Sequence, residues 1–136
     1  MAGTLNGNPL VTAAGKPVLP RLRTGPQIYA RMNVMGDRFR SEINPFAQER
    51  GYLAIATGAG SMFWMYTSRG PIKSIRDVRQ TDGTAAPGLR PLYHKNTLHM
   101  PPNHAFIYEA HTEDDITQLI EIHKVAMEEL RGHGVW

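Results

Sequence analysis

One run of residues limits the fold of this chain more than any other: Ser61–Thr67, which reads Ser-Met-Phe-Trp-Met-Tyr-Thr. The run is rich in aromatic residues and apolar on both faces, a composition typical of a β-strand. Because it is almost continuously apolar, it predicts a central strand that is covered on both sides. Gly58-Ala59-Gly60 predicts a turn or a bulge before it. Three further strands are predicted at Leu53–Thr57, Thr97–Met100 and Ala105–Glu109.

A first apolar stripe predicts a helix that starts near Thr24-Gly25-Pro26. Pro45 predicts its end, because a proline keeps the residue before it out of helical geometry. We assign the stripe to core packing and place three arginines, Arg31, Arg38 and Arg40, on a solvated face. The stripe residues recur at steps of four, three, four and four, as one face of a helix requires: Ile28, Met32, Met35, Phe39 and Ile43.

A second stripe predicts the last helix of the chain. Thr112 is a suitable N-cap, Asp115 stands at the capping-box position, and Gly132 predicts the end. Ser74 similarly predicts the cap of a short helix. Together these elements predict an α/β fold, a small antiparallel sheet with helices packed on one face. The buried face of the last helix is expected to consist of Ile116, Leu119, Ile120, His123, Met127 and Leu130.

The chain opens with a loop that runs into a helix start, Gly3-Thr4-Leu5-Asn6-Gly7-Asn8-Pro9. Asn8 is a good N-cap, and Pro9 suits the first helical position. Such a loop offers N–H groups and a hydroxyl to an anion, although a capped helix after a turn is the simpler interpretation. We predict a helix from Pro9 towards Lys16 that is interrupted by Pro17 and Pro20, since proline removes a backbone donor.

Composition argues against several classes of protein. The 136 residues are enough to bury a core, and without cysteine there is neither a disulfide framework nor a thiolate metal site. The net charge of +3 is modest and its basic residues are scattered, which argues against a nucleic-acid partner. No apolar run approaches the ~20 residues of a membrane span, and no signal peptide is visible. We therefore expect a cytoplasmic protein without a membrane partner.

Three blocks of sequence carry a resemblance to a known family. They are Gly3–Gly15, with Ala13-Ala14-Gly15 at its end; Gly60–Asp82, which begins Gly60-Ser61-Met62-Phe63-Trp64; and Pro101–Leu130, which contains Ala110-His111-Thr112-Glu113-Asp114-Asp115-Ile116. In this order they resemble the C-terminal part of class III pyridoxal-phosphate (PLP) aminotransferases, above all glutamate-1-semialdehyde 2,1-aminomutase and its aminotransferase relatives. The resemblance implies the C-terminal small α/β domain of a fold-type I PLP-dependent transferase at 25–136, preceded at 1–24 by a loop and helix from the large domain.

The same resemblance implies a cofactor, pyridoxal 5'-phosphate, and a homodimer that acts on a small-molecule amino donor and acceptor. In the family, the threonine of the first block reaches the phosphate of the partner subunit's cofactor. The implied cofactor-binding residues are therefore Thr4 and its neighbour Gly3. The family's Schiff-base lysine, pyridine-facing aspartate and ring-stacking aromatic lie upstream of the first block. No lysine here sits in a matching motif, so we expect a C-terminal fragment without a catalytic residue, inactive alone. The lysines are Lys16, Lys73, Lys95 and Lys124.

Some alternatives stay open. The aminomutase usually carries a glutamate after its Pro-Pro pair, whereas this chain has Asn103 and His104, which favours general amino transfer over the amino shift. A different class of function is a non-catalytic domain that acts only in protein association through exposed apolar faces. A metal module is a third, but the histidine spacing fits no zinc pattern, so no metal site is predicted. His111 is expected instead to fix the strand-to-helix turn by hydrogen bonding. The clustered histidines are His94, His99, His104 and His111.

Overall fold

A computed structural model describes Gly3, residues 5–81, Leu92, Lys95 and residues 105–134. The chain divides into two compact units, Met1–Arg31 and Met32–Trp136. The predicted strand Thr97–Met100 lies outside the described residues. Along the chain the elements are α1 (Pro9–Thr24), α2 (Pro26–Glu49), β1 (Ile55–Ala59), β2 (Met62–Tyr66), α3 (Ile75–Val78), β3 (Ala105–Phe106) and α4 (Glu113–Gly132).

In the first unit, α1 is continuous from Pro9 to Thr24 with Pro17 and Pro20 inside it, so the predicted interruption is wrong. Each proline removes a single backbone donor, and its fixed φ is already close to the helical value. No residue of α1 is buried. Water can therefore reach the carbonyls that lose their helical partners, which offsets part of the cost of both prolines.

The prediction that Pro45 ends the second helix is also wrong, because α2 continues to Glu49. Ile43 and Ala47, on either side of the proline, are both fully buried. Continuing the helix buries this additional apolar surface, which outweighs the loss of one backbone hydrogen bond. The helix ends where the left-handed Gly51, with φ of 70°, turns the chain.

The three described strands form one antiparallel sheet in the order β1-β2-β3, so β2 is central, as predicted. Strand alternation places Ala56, Phe63 and Ala105 on the inner face, and all three are buried. On the other face, Met62 is 40% exposed. The prediction that β2 is covered on both sides is therefore wrong at this residue.

The core lies between the inner face of the sheet and the apolar faces of α2 and α4. Phe39 of α2 is fully buried at its centre, with its ring centroid 4.3 Å from that of Phe63 and 4.9 Å from that of His123. This arrangement confirms the predicted α/β fold with helices on an antiparallel sheet. The residues of both predicted stripes lie in or against the core, except Ile28, which belongs to the first unit. No helix within the described ranges is both long and apolar enough to cross a membrane.

The turn between β1 and β2 is held tightly against α2. A Cβ atom at Gly36 would lie 2.1 Å from the carbonyl oxygen of Gly60, so only glycine allows this approach. The Arg40 guanidinium donates to the carbonyl oxygens of Gly60 and Met62 at 3.0 Å each and pairs with Asp37. Its side chain is only 13% exposed, so the prediction of a solvated face is wrong for Arg40.

Arg38 is partly solvated, with a side chain that is 33% exposed, but it also makes contacts that the sequence did not predict. Its guanidinium donates to Glu42 on its own helix and to Glu113 and Thr117 on α4. The hydrogen bonds to both glutamates raise its pKa above the ordinary value. The side chain therefore ties α2 to α4 across one edge of the core.

Candidate functional site

The N-terminal loop is the first candidate site that the sequence indicates. The amide of Asn6 donates to the Gly3 carbonyl at 3.2 Å, and the amide of Asn8 donates to the Leu5 carbonyl at 3.2 Å. Gly7 adopts the left-handed φ of 78° that this tight turn requires. Gly3 is exposed, whereas Thr4 lies outside the described residues. The structure therefore gives the backbone frame of this loop.

The loop leads into the N-terminus of α1, where Asn8 acts as the predicted cap. Its side-chain oxygen accepts hydrogen bonds from the amides of Leu10 at 2.9 Å and Val11 at 3.2 Å. The first turn of α1 contains no acidic residue. In the part of the chain that the structure describes, the amides of Leu5 and Gly7 donate no backbone hydrogen bond. The positive end of the helix thus lacks a carboxylate of its own and keeps amide donors in the loop before it.

The N-terminus of α4 is built in the opposite way. The Thr112 hydroxyl accepts from the amide of Asp115 at 3.2 Å, and the Asp115 carboxylate accepts from the amide of Thr112 at 2.7 Å. The carboxylate also accepts from the Thr112 hydroxyl at 2.8 Å, and the bonds it accepts from this amide and this hydroxyl, the amide first, lower the pKa of Asp115. This reciprocal capping box confirms the prediction from the sequence. Because the chain's own carboxylate occupies this end, α4 offers less room for an external anion than α1.

Ser74 and Asp77 form a second capping box at the short helix α3, as the position of Ser74 predicted. The Asp77 carboxylate accepts from the amides of Lys73 at 2.8 Å and Ser74 at 2.7 Å. These bonds, with the one from the Ser74 hydroxyl, lower the pKa of Asp77. Three donors of the cap reach Oδ2 of this carboxylate, which gives it a structural role.

His111 fixes the turn between β3 and α4, which confirms its predicted role. Its Nδ1 accepts a hydrogen bond from the amide of Tyr108 at 2.9 Å, and the two rings stack with centroids 5.7 Å apart. No group of three or more potential metal ligands occurs among the described residues. The other histidines of the metal hypothesis lie outside the described residues: His94, His99 and His104.

The four lysines occupy surface positions. Lys16 and Lys73 are exposed, and the ammonium group of Lys95 pairs with Glu129 at 2.9 Å. Lys124 is partly covered and pairs with Glu121 at 2.7 Å. None of these lysines is buried, so none has the enclosed environment that a covalent cofactor lysine needs.

The sequence analysis missed the polar groups that hold the β1–β2 turn. Arg40 caps the carbonyls of this turn, and Asn33 accepts from the amide of Ser61 at 3.1 Å. One signal was available, because Arg40 directly follows the core residue Phe39 and therefore lies beside the apolar stripe rather than opposite it. These groups position the sheet and do not form a reactive cluster.

Comparison with known proteins finds sequence similarity to proteins of one name. No family model matches the chain. It is 30% identical over 132 residues to glutamate-1-semialdehyde 2,1-aminomutase of Thermus thermophilus, covering 93% of this chain and 30% of that protein. It is 32% identical over 130 residues to the protein of the same name from Methanobrevibacter smithii, with the same two coverages. The chain thus spans about 30% of the length of these relatives.

Solved structures show the same fold. A transaminase with PLP bound superimposes with a TM-score of 0.77 at 20% identity, covering 100% of this chain and 31% of that one. A β-phenylalanine aminotransferase from Variovorax paradoxus gives a TM-score of 0.68 at 20% identity, covering 77% and 24%. At these identities the likeness establishes the fold, which matches a segment of each larger enzyme.

Proposed function

We propose that this chain, a relative of the glutamate-1-semialdehyde 2,1-aminomutases with the fold of a transaminase segment, serves as the phosphate-binding and small-domain part of a PLP-dependent aminotransferase or aminomutase. The observation that carries the proposal is the 30% identity across 93% of the chain. When bound, PLP supplies the electron sink for amino-group chemistry. The residues of this chain would hold the phosphate and support the site.

The N-terminal loop has the donors that this role requires. The amides of Leu5 and Gly7, together with the positive end of α1, suit a phosphate dianion. Gly3 and Thr4 are the proposed cofactor contacts, with the Thr4 hydroxyl assigned through the resemblance. We accordingly propose that residues 1–24 form the end of a large PLP-binding domain and that residues 25–136 form the small domain.

The other requirement of a PLP enzyme is a lysine that binds the cofactor covalently. The lysines of this chain are exposed or engaged in ion pairs. We therefore propose that the Schiff-base lysine comes from outside this chain and that the chain alone does not catalyse. The amino shift and the general amino transfer both remain candidates for the whole enzyme, and a cytoplasmic location stays a prediction from the sequence.

A homodimer is the proposed assembly, because in the resembled family the phosphate contact crosses the dimer interface. Large apolar side chains on α1 remain accessible for such a contact: Leu10 is 78% exposed and Leu19 is 68% exposed. The same observation favours the second candidate function, a domain that acts only in protein association. The two candidates differ in whether the loop binds phosphate.

A titration followed by amide NMR tests the proposal. PLP and inorganic phosphate are each expected to shift the amides of Leu5 and Gly7 in a saturable way, whereas pyridoxal, which lacks the phosphate, leaves them unchanged. Thr4→Val is expected to weaken both titrations. Thr24→Val makes the same chemical change at the far end of α1 and serves as the matched control. Equal shifts with pyridoxal, or an unaffected Thr4→Val variant, would refute phosphate binding by this loop.

The absence of catalysis in the isolated chain is tested separately. After incubation with PLP and reduction with borohydride, mass spectrometry is expected to find no stoichiometric adduct on any single lysine. A stoichiometric adduct at one lysine would overturn this part of the proposal. Concentration-dependent self-association without any phosphate response would favour the association domain instead.

A further inference from the structure

We propose that a cleft at the C-terminal end of α2 binds a small carboxylic acid with an apolar body. The cleft has a volume of about 340 Å³, within the range of small-molecule sites. It lies entirely within residues 44–71, where the end of α2, strand β1 and the segment after β2 meet. Its lining consists of Asn44, Gln48, Gly51, Tyr52, Ala54, Ile55, Arg69 and Pro71.

Arg69 gives the cleft its charge. It is the single charged residue among the described lining residues. Its Nη1 donates to the Gly51 carbonyl at 3.2 Å, which orients the guanidinium, and no carboxylate of the described residues pairs with it. A guanidinium has five N–H donors, so the remaining donors can receive a carboxylate in the usual two-point geometry.

The other walls explain why a small organic acid fits better than a bare ion. Tyr52 and Ala54 are buried at 5% and 7% exposure and form an apolar floor. The Asn44 side chain is held in place by two hydrogen bonds, since it donates to the Ala56 carbonyl at 2.9 Å and accepts from the Ala56 amide at 2.7 Å. Asn44 therefore acts as a rigid wall, and the exposed Gln48 carboxamide is available as a second donor.

A purely structural role for Arg69 makes a different prediction. The guanidinium lies at the negative end of α2 and caps a carbonyl there, which alone could explain its position. In that case, removing its charge would lower stability without affecting any ligand. Ligand binding must therefore be measured directly, and only variants that are folded to the same extent can be compared.

The experiment compares benzoate with benzamide on the full chain by amide NMR, because the two probes share their shape and differ in charge. Benzoate is expected to shift the amides of Gln48, Gly51 and Arg69 in a saturable way, with benzamide roughly tenfold weaker or worse. Arg69→Gln is expected to weaken benzoate by a similar factor. Arg76→Gln removes the same charge from the exposed helix α3, outside the cleft, and should leave benzoate binding unchanged.

A second variant keeps the test decisive if Arg69→Gln unfolds. Gln48→Glu is isosteric and places a negative charge beside the expected carboxylate, so it should weaken benzoate and spare benzamide. The proposal is overturned if benzoate gives no saturable shift, if benzamide binds equally well, or if benzoate binds a folded Arg69→Gln variant unchanged. None of these probes involves Gly3 or Thr4, so the outcome is independent of the phosphate titration.

Discussion

The two long helices near the N-terminus contain the same helix-breaking residues in very different surroundings. Both α1 and α2 have glycine and proline in their interior. No residue of α1 is buried, whereas α2 places Phe39, Ile43 and Ala47 in the core at 0% exposure. In α1 the prolines are tolerated because water can reach the carbonyls they leave without a helical partner. In α2 the proline is tolerated because the core on both sides of it holds the helix together.

The glycine of α2 gives the largest expected effect. We expect Gly36→Ala to lower the free energy of unfolding by about 3 kcal/mol, the upper end of the range for overpacking. The added Cβ would lie 2.1 Å from the carbonyl oxygen of Gly60, which is backbone and cannot rotate away. Urea denaturation monitored by circular dichroism measures the change. Gly70→Ala is the control, because nothing lies within 4 Å of its added Cβ. Equal stability of the two variants would mean that α2 does not hold the turn closely.

The second expected effect is a pH dependence of stability. It comes from a buried histidine of the core, whereas α1 has no buried residue. Burial lowers the pKa of His123 from 6.5 to about 4, and a hydrogen bond to the Leu119 carbonyl offsets only part of this shift. Between these two values the unfolded chain binds the proton that the folded chain excludes, so stability falls as the pH falls. We expect a loss of about 2 kcal/mol between pH 7 and pH 5.

Denaturation at several pH values, with and without His123→Leu, checks this expectation. The variant should lose most of the slope between pH 7 and pH 5, since leucine has nothing to protonate. Asp115 does not interfere, because its pKa is lowered and its contribution is lost only below its ordinary value of 3.8. An unchanged slope in the variant would show that His123 takes up its proton without opening the core.

Periodic and capping signals predicted most of the fold. Apart from Ile28, the stripes of α2 and α4 lie in or against the core, and Ser74 and Thr112 cap their helices as predicted. Proline was the misleading signal, since Pro17, Pro20 and Pro45 all lie inside helices. A local rule gives the cost of the missing donor, but the burial or solvation that offsets this cost depends on tertiary surroundings that the local sequence does not contain.

The candidate sites were less predictable. The N-terminal loop was found from its glycines and its cap, and the role of His111 was predicted correctly. The cleft beside Arg69 was not found, because its residues come from three segments between positions 44 and 71 that meet only in the folded chain. Neither periodicity nor a motif marks a guanidinium that lies beside a helix end through tertiary packing.

The arginines offer a sharper test of the difference between the two helices. Arg40→Gln removes the donors that reach the carbonyls of Gly60 and Met62, and we expect it to cost about 1.5 kcal/mol. Arg23→Gln makes the same change on the exposed surface of α1 and should leave stability within about 0.5 kcal/mol of the parent. Thermal and urea unfolding of both variants measure the contrast. If both substitutions lower the free energy of unfolding equally, the hydrogen bonds from Arg40 to the turn do not contribute to stability.

The smallest expected effect has the opposite sign and occurs in α1. Nothing lies within 4 Å of a Cβ atom added at Gly15, so Gly15→Ala should gain helix propensity without a clash. We expect a gain of about 0.5–1 kcal/mol, seen as a roughly two- to fivefold slower hydrogen exchange of the α1 amides. Amides of the core helices serve as the internal reference, and they should exchange at unchanged rates. Faster exchange in α1 would indicate that Gly15 is needed for a close contact there. If Gly15→Ala raises stability and Gly36→Ala lowers it, the effect of replacing a helical glycine depends on the packing around it and not on the glycine itself.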